Sequence, residues 1–383
     1  MLAYETYQPG YDASMSYGYK CHSYGHFTHS RHNSYSFPTY RAPHNILILG
    51  ATGTVGTYIT RAIVDANSQG HFGRISIFTS EKTIVEKVQD ICALESWGVE
   101  IFVGSLDDER RFKDACRGRC TDVQIVEQEL IQPTGVDTIV SCLGRHAIEK
   151  QIPIITWADE VGVTRFFASE YGTDIEYFPD SEHEPPHQMK LKVRAHMKTI
   201  KRMEHTYLVT GPYSDLYFGP MKEAPKAGGF DVEKGRAHLL GDGDMPVSFT
   251  AMNDVGKFVV AALLNYITSR NQTLIVHSFT ATPNEILAEH EAQMKKKWEK
   301  SYIDTKTIQA MEKEAYQVHS PLATVLTLRR IWTLGGTLHK FYDDSLLGFV
   351  ETESLEDQVR LNIAKQTGKV PGGISLLRTL SAV

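Results

Sequence analysis

Three glycines in the run Gly50-Ala-Thr-Gly53-Thr-Val-Gly56 directly follow four apolar residues, Ile46-Leu-Ile-Leu49. A strand that ends in such a turn and enters a helix offers backbone amides and the positive end of a helix dipole to a phosphate. The glycines meet different steric demands. The first permits the tight turn, the second lets a pyrophosphate approach the backbone, and the third lets helix and strand pack closely. The pattern predicts a dinucleotide site contacted by Gly50, Thr52, Gly53, Val55 and Gly56.

The end of the second strand decides between the two nicotinamide dinucleotides. A carboxylate there accepts hydrogen bonds from the ribose hydroxyls, whereas a cation pairs with a 2′-phosphate. The residues are Phe78-Thr79-Ser80-Glu81-Lys82. No acid stands at the strand end itself, Thr79 and Ser80 are phosphate-compatible donors, and Lys82 is the candidate charge partner, which favours NADP(H). The competing reading makes Lys82 a solvated residue at a helix start.

A second cluster is basic. His187, Lys190 and Arg194 recur at spacings of three and four, which places them on one helical face. Two flanking cations lower a lysine pKa towards the range of a general acid/base. On residues alone, a solvated basic face formed by Lys190, Lys192, Arg194 and Lys198 is the better explanation of the run.

These groups must be positioned by repeated units of strand, glycine turn and helix. Short apolar runs at 45–49, 75–79, 99–103, 136–142, 165–169 and 206–210 read as strands buried on both faces, and 58–66, 84–94, 110–116, 147–161 and 189–203 read as helices. The alternation predicts an α/β fold, a Rossmann-type doubly wound parallel sheet over residues 44–212, with a smaller C-terminal α/β substrate subdomain over 213–383. Helices are expected there at 253–265 and 284–300.

Two stretches break the rhythm. Residues 1–43 hold eight of the 18 tyrosines and a single Ile, Leu or Val, Leu2. They read as a disordered low-complexity tail without the apolar core of a secretory signal. Residues 119–135 read as a surface insertion, with a short helix at 123–130 as the other reading.

Composition narrows the partners. Forty basic and 46 acidic residues give a formal charge of -6, which excludes nucleic acid and an anionic membrane surface as natural partners. Five scattered cysteines in 383 residues fit reduced thiols in the cytoplasm. Neither the Cys116/Cys120 pair nor the histidines of the tail has the spacing of a metal site. A small molecule is the expected partner, bound by a monomer or homodimer.

Several motifs together carry a resemblance: Gly50 to Gly56, Ser141-Cys-Leu-Gly144, Arg165-Phe-Phe-Ala-Ser-Glu-Tyr-Gly172, Lys190-Leu-Lys-Val-Arg194, Thr206-Tyr-Leu-Val-Thr-Gly-Pro212 and Leu240-Gly-Asp-Gly243. The chain resembles the NmrA-like, isoflavone reductase-like branch of the atypical short-chain dehydrogenases, its fungal members in particular. The resemblance implies an NADPH-dependent reductase of small aromatic or conjugated substrates with Lys190 as the catalytic base. It departs at Thr79, where plant members usually carry an arginine. The ordinary Tyr-x-x-x-Lys pair of short-chain dehydrogenases has one match, Tyr302/Lys306, which lies beyond the Rossmann units and reads as coincidence.

The fold then assigns the rest of the site, because ligands of open α/β sheets lie outside the carboxyl ends of the strands. Cys142, Leu143 and Gly144 are expected beside the nicotinamide, and Ser169 beside the cofactor. Glu170, Tyr171, Tyr213 and Tyr217 are expected to line the substrate pocket, with Glu170 either a second acid/base or a loop anchor. The rival function is a non-catalytic NADP(H) sensor that acts through a protein partner; a reductase of simple quinones or carbonyls differs only in substrate.

Overall fold

A computed structural model describes residues 43–119, 135–177 and 181–369. Residues 1–42 of the expected tail, 120–134 of the expected insertion and the alternative helix at 123–130 lie outside the described residues.

The strands form where short apolar runs are buried on both faces. β1 (Ile46–Leu49), α1 (Gly56–Ser68), β2 (Ile75–Thr79), α2 (Glu81–Glu86), α3 (Val88–Ser96), β3 (Glu100–Val103) and α4 (Glu109–Cys116) make the first half. β4 (Thr138–Ser141), α5 (Gln151–Glu160), β5 (Arg165–Phe167), α6 (Gln188–Met197) and β6 (Glu204–Val209) make the second. After α7 (Ser214–Tyr217), β7 (Gly229–Asp231), β8 (Arg236–Leu240), β9 (Val247–Phe249), α8 (Met252–Leu264) and α9 (Tyr266–Ser269), the chain returns to the sheet as β10 (Gln272–Ile275). It closes with β11 (Phe279–Ala281), α10 (Pro283–Met294), β12 (Glu299–Ile303), α11 (Thr305–Gln317), α12 (Ala323–Thr333) and α13 (Leu355–Thr367).

The main sheet has seven strands in the order β10-β6-β5-β4-β1-β2-β3, every pair parallel. β1 shows why it is doubly wound. Its four side chains are fully buried; Ile46 and Ile48 enter the core shared with α1 and α8, whereas Leu47 and Leu49 enter the core shared with α4, α5 and α6. Strand order reverses between β1 and β4, which register Ile46 against Thr138, so the crevice at their carboxyl ends is the switch point where ligands of this fold bind.

Four differences from the sequence reading have physical reasons. The sheet is not confined to 44–212: β10 pairs with β6 and α8 packs on α1, where Gly256 lets the helices meet so closely that a Cβ would sit 2.6 Å from the Tyr58 carbonyl oxygen. The helix expected at 84–94 is two helices broken at Lys87, whose backbone (φ -125°, ψ 38°) leaves the helical region. The helix expected at 284–300 stops at Met294, because Lys295 adopts a left-handed conformation (φ 51°), and Glu299–Ile303 becomes a strand beside β8. The helix expected at 189–203 ends at Met197, and Met203 folds back into the core under α6.

The C-terminal elements build a separate core, in which Phe218, Phe230, Phe249 and Val359 are buried between the β7-β8-β12 sheet, the β9-β11 pair and the helices α10 and α13. Among the described residues no helix is long and apolar enough to cross a membrane.

Candidate active site

The turn after β1 is shaped by backbone crowding. Gly50 has φ +71°, and a Cβ there would lie 2.6 Å from the Cys142 carbonyl oxygen at the end of β4. A Cβ on Gly56 would collide with the Gly50 carbonyl oxygen. The Gly53 amide donates to that oxygen at 2.9 Å, and the Thr57 hydroxyl donates to the Gly53 carbonyl at 2.9 Å. Together they wind the turn into α1, whose cap residue, Val55, gives no side-chain hydrogen bond. In contrast, α2 is capped by Ser80 and α4 by Asp108. The opening amides of α1 are therefore not satisfied by a capping side chain, and the cradle that a Cβ would fill suits a pyrophosphate.

Lys82 is an exposed residue whose ammonium lies 3.7 Å from Glu86 one helical turn on, and the Ser80 hydroxyl accepts from the Thr83 amide at 3.2 Å. The cation that reaches the glycine turn is Lys87, which donates to the Thr52 carbonyl. Sequence reasoning missed it by running one helix through 84–94; the break that frees Lys87 has no proline or glycine to mark it.

At the far end of the crevice, the loops after β4 and β5 are tied together. The Ser169 hydroxyl donates to the Leu143 carbonyl at 2.8 Å, and its amide donates to Gln151 Oε1 at 2.9 Å. Cys142 and Leu143 are buried, and Gly144 precedes the 3-10 turn Arg145–Lys150. Over these loops stands Lys190. Its ammonium donates to the Glu170 carbonyl at 3.0 Å and lies 3.8 Å from the Glu170 carboxylate. It is also 3.7 Å from the point where a Cβ on Gly172 would sit. Burial pulls the lysine below its ordinary pKa; Glu170 opposes that shift, while Arg194 and Arg145 add to it.

Against this geometry, comparison with known proteins is decisive for the family. The NmrA-like family model matches residues 43–364. The chain belongs to the NmrA-like family. It is 29% identical to phenylcoumaran benzylic ether reductase PT1 of Pinus taeda, over 67% of this chain and 77% of that protein. With isoflavone reductase of Glycine max it shares 25% identity over 70% and 82% of the two chains. Its fold matches the leucoanthocyanidin reductase–NADPH complex from Vitis vinifera with a TM-score of 0.66 at 18% identity, covering 84% of this chain and 99% of that one. AtPrR2 with NADP+ and (+)pinoresinol matches with a TM-score of 0.67 at 21% identity, over 84% and 100%.

In this NmrA-like protein the structure favours one of the two readings of Glu170 and differs from the sequence reading at His187 and Tyr217. Glu170 is a loop anchor facing inward: its buried carboxylate takes both nitrogens of the Arg194 fork at 3.1 and 3.3 Å, while Arg194 also reaches Glu176 at 2.6 Å. His187 is not a flanking cation. Its Nδ1 pairs with the Ser181 carbonyl at 2.6 Å, and burial lowers its pKa, so the ring is neutral at pH 7. The second cation acting on Lys190 is Arg145 instead, which comes from another loop and has no sequence spacing to betray it. Tyr217 belongs to the C-terminal core beneath the Arg329 guanidinium, 4.7 Å from its ring centre.

Tyr171 and Tyr213 do meet at the crevice. The Tyr213 hydroxyl donates to the Tyr171 carbonyl at 2.9 Å, the Tyr171 ring lies beside the Cys142 thiol, and burial pushes both phenols up. They stay protonated at neutral pH.

The Glu170–Arg194 pair generates a stability prediction. Arg194→Met strands a carboxylate that is 1% exposed, and a broken buried pair costs about 3–5 kcal/mol. Chemical denaturation of the two proteins measures the difference; a loss below about 1 kcal/mol, the range of exposed pairs, would show that the pair does not hold the loop.

Proposed function

We propose that this protein is an NADPH-dependent reductase that delivers hydride to an electrophilic carbon of a small aromatic or conjugated substrate, with Lys190 exchanging the proton on a substrate oxygen. The observation that carries the reading is Lys190 itself, a lysine held by the Glu170 carbonyl and drawn below its usual pKa at the carboxyl end of the sheet. A general acid/base works best with a pKa near the working pH. The family and its reductase relatives support the same conclusion.

The chain is an oxidoreductase whose cofactor is NADP(H). NADPH, when bound, supplies the hydride. The chain's own groups do the rest: the Gly50–Gly56 turn and the start of α1 hold the pyrophosphate, and Lys87 with Thr79 and Ser80 offers the 2′-phosphate a cation and two hydroxyls. Ser169 fastens the loop beside the substrate, and Tyr171 and Tyr213 exclude water from it. A cofactor sensor has no use for a buried lysine whose desolvation opposes its charge, which favours catalysis over the sensor reading.

Three variants test the assignments. Lys190→Ala should leave NADPH affinity near the wild-type value and lower turnover by about a hundredfold or more, the usual share of a general acid/base. The assay is a cofactor-consumption screen over aromatic ketones, enones, quinones and benzylic ethers; unchanged turnover would refute the role. Lys87→Ala should weaken NADPH by about tenfold, as loss of one charge-assisted hydrogen bond does, and leave NADH unaffected, whereas Lys82→Ala should change neither. Equal losses for both dinucleotides in the Lys87 variant would remove it from the 2′-phosphate site.

A further inference from the structure

β12 is an outer strand of the sheet β12-β8-β7 and runs parallel to β8. The Glu299 amide donates to the Gly235 carbonyl at 2.9 Å, and the Ile303 carbonyl accepts from the Gly241 amide at 2.8 Å. Backbone groups point to alternate sides along a strand, so the amides and carbonyls of Lys300 and Tyr302 face away from β8. Among the described residues nothing pairs with them. The two side chains share the face of Trp298, two residues before Lys300. Tyr302 is 45% exposed, whereas Trp298 is buried.

α10 lies along this face. Between the two elements runs an open groove of about 400 Å³, lined by Leu287 and Glu291 from the helix and by Trp298, Lys300 and Tyr302 from the strand side. Helix and strand are tied at two points: the Tyr302 hydroxyl donates to Asn284 Oδ1 at 2.9 Å, and the Trp298 amide donates to Glu291 Oε1 at 2.8 Å.

The acids around the groove are engaged. Glu291 also holds Lys297 at 2.6 Å, Asp244 accepts from the Asn284 side chain at 2.8 Å, and Glu299, on the opposite face of β12, is paired with Arg236. Lys300 forms no ion pair among the described residues; its ammonium lies 5.5 Å from the centre of the Tyr302 ring. It closes the run Lys295-Lys-Lys-Trp-Glu-Lys300, which holds four lysines in six residues. An open backbone edge, an aromatic groove and an uncommitted cation therefore meet on one strand.

From this arrangement we infer that β12 is a docking edge for an extended acidic peptide of a partner protein, added as a further strand. The backbones of Lys300 and Tyr302 supply the ladder, and Lys300 pairs with a carboxylate. A ring two residues from that carboxylate enters the groove against Tyr302 and Trp298. A second copy of this chain would set one lysine run against another, so charge favours an acidic partner. The inference is independent of the reductase reading, because the groove shares no residue with the crevice that holds Lys190.

The probe is the peptide acetyl-Thr-Asp-Thr-Phe-Thr-Asp-Thr-amide, which as a strand puts its acids and its ring on one face. It is titrated into the full chain and followed by calorimetry and by amide hydrogen exchange. Binding should slow exchange at the Lys300 and Tyr302 amides and leave Glu299 and Ser301, already in the ladder, unchanged. A peptide with lysine in place of both acids should bind the wild-type protein about tenfold more weakly, and so should the parent peptide with Lys300→Glu, because attraction becomes repulsion. Of two copies N-methylated at alternate amides, one blocks the edge that meets β12 and should lose binding, while the other should keep it. No binding of the parent peptide, equal binding of both methylated copies, or unchanged exchange at Lys300 and Tyr302 overturns the inference. Benzoate binding as tightly as the peptide would make the groove a small-molecule pocket, and self-association of the free protein that already protects the two amides would make a second copy the occupant. Either result overturns it as well.

Discussion

Two buried charges, the Glu170 carboxylate and the Arg194 guanidinium, join the loop after β5 to the helix that follows it. Burying either alone is prohibitive; together they satisfy each other, and Glu176 takes a further nitrogen of Arg194. The consequence reaches beyond the pair. With its carboxylate fixed, Glu170 turns its carbonyl to Lys190, one helical turn before Arg194, and Gly172 leaves room for the ammonium. The lysine is thus placed by a backbone acceptor, which leaves it a proton donor or, when neutral, a base. Its charge is a cost to the fold. Because the folded pKa is lowered, the unfolded chain binds the proton more tightly, so stability rises with pH between the folded value and 10.5.

The opposite end of the crevice is governed by distance between backbones. At Gly50 and Gly56 the chain passes so near the Cys142 and Gly50 carbonyls that no side chain fits. The same crowding aims the uncapped start of α1 into the switch point between β1 and β4. Lys87, released by a helix break, then brings positive charge to the rim of the turn. The glycine turn after β1 and the loops after β4 and β5, over which Lys190 stands, therefore lie at the carboxyl ends of neighbouring strands of one sheet.

Much of this was legible from local pattern. The six strands from β1 to β6 lie within about two residues of their expected bounds, because strands buried on both faces write themselves as short apolar runs. The glycine turn and the Lys190 helix were legible for the same reason: their spacing is local. What escaped depends on contacts distant in sequence. β10 joins the sheet from beyond residue 212, and its run, Gln272 to Ile275, is half polar because it lies at an edge. Lys87 went unnamed because a helix break has no composition. Glu170 and Tyr217 were given to the substrate because their partners, Arg194 and Arg329, lie 24 and 112 residues away.

The protonation of Lys190 decides whether this site can move a proton. Its Nζ can be followed by nitrogen NMR in the NADP+-bound protein and assigned by the signal missing from Lys190→Met. The expected titration midpoint lies clearly below the ordinary lysine value of 10.5, and it should move lower still in Glu170→Gln, which removes the carboxylate that opposes the shift. A midpoint at or above 10.5 in the wild-type protein would contradict the catalytic role, since such a lysine would be a solvated surface cation.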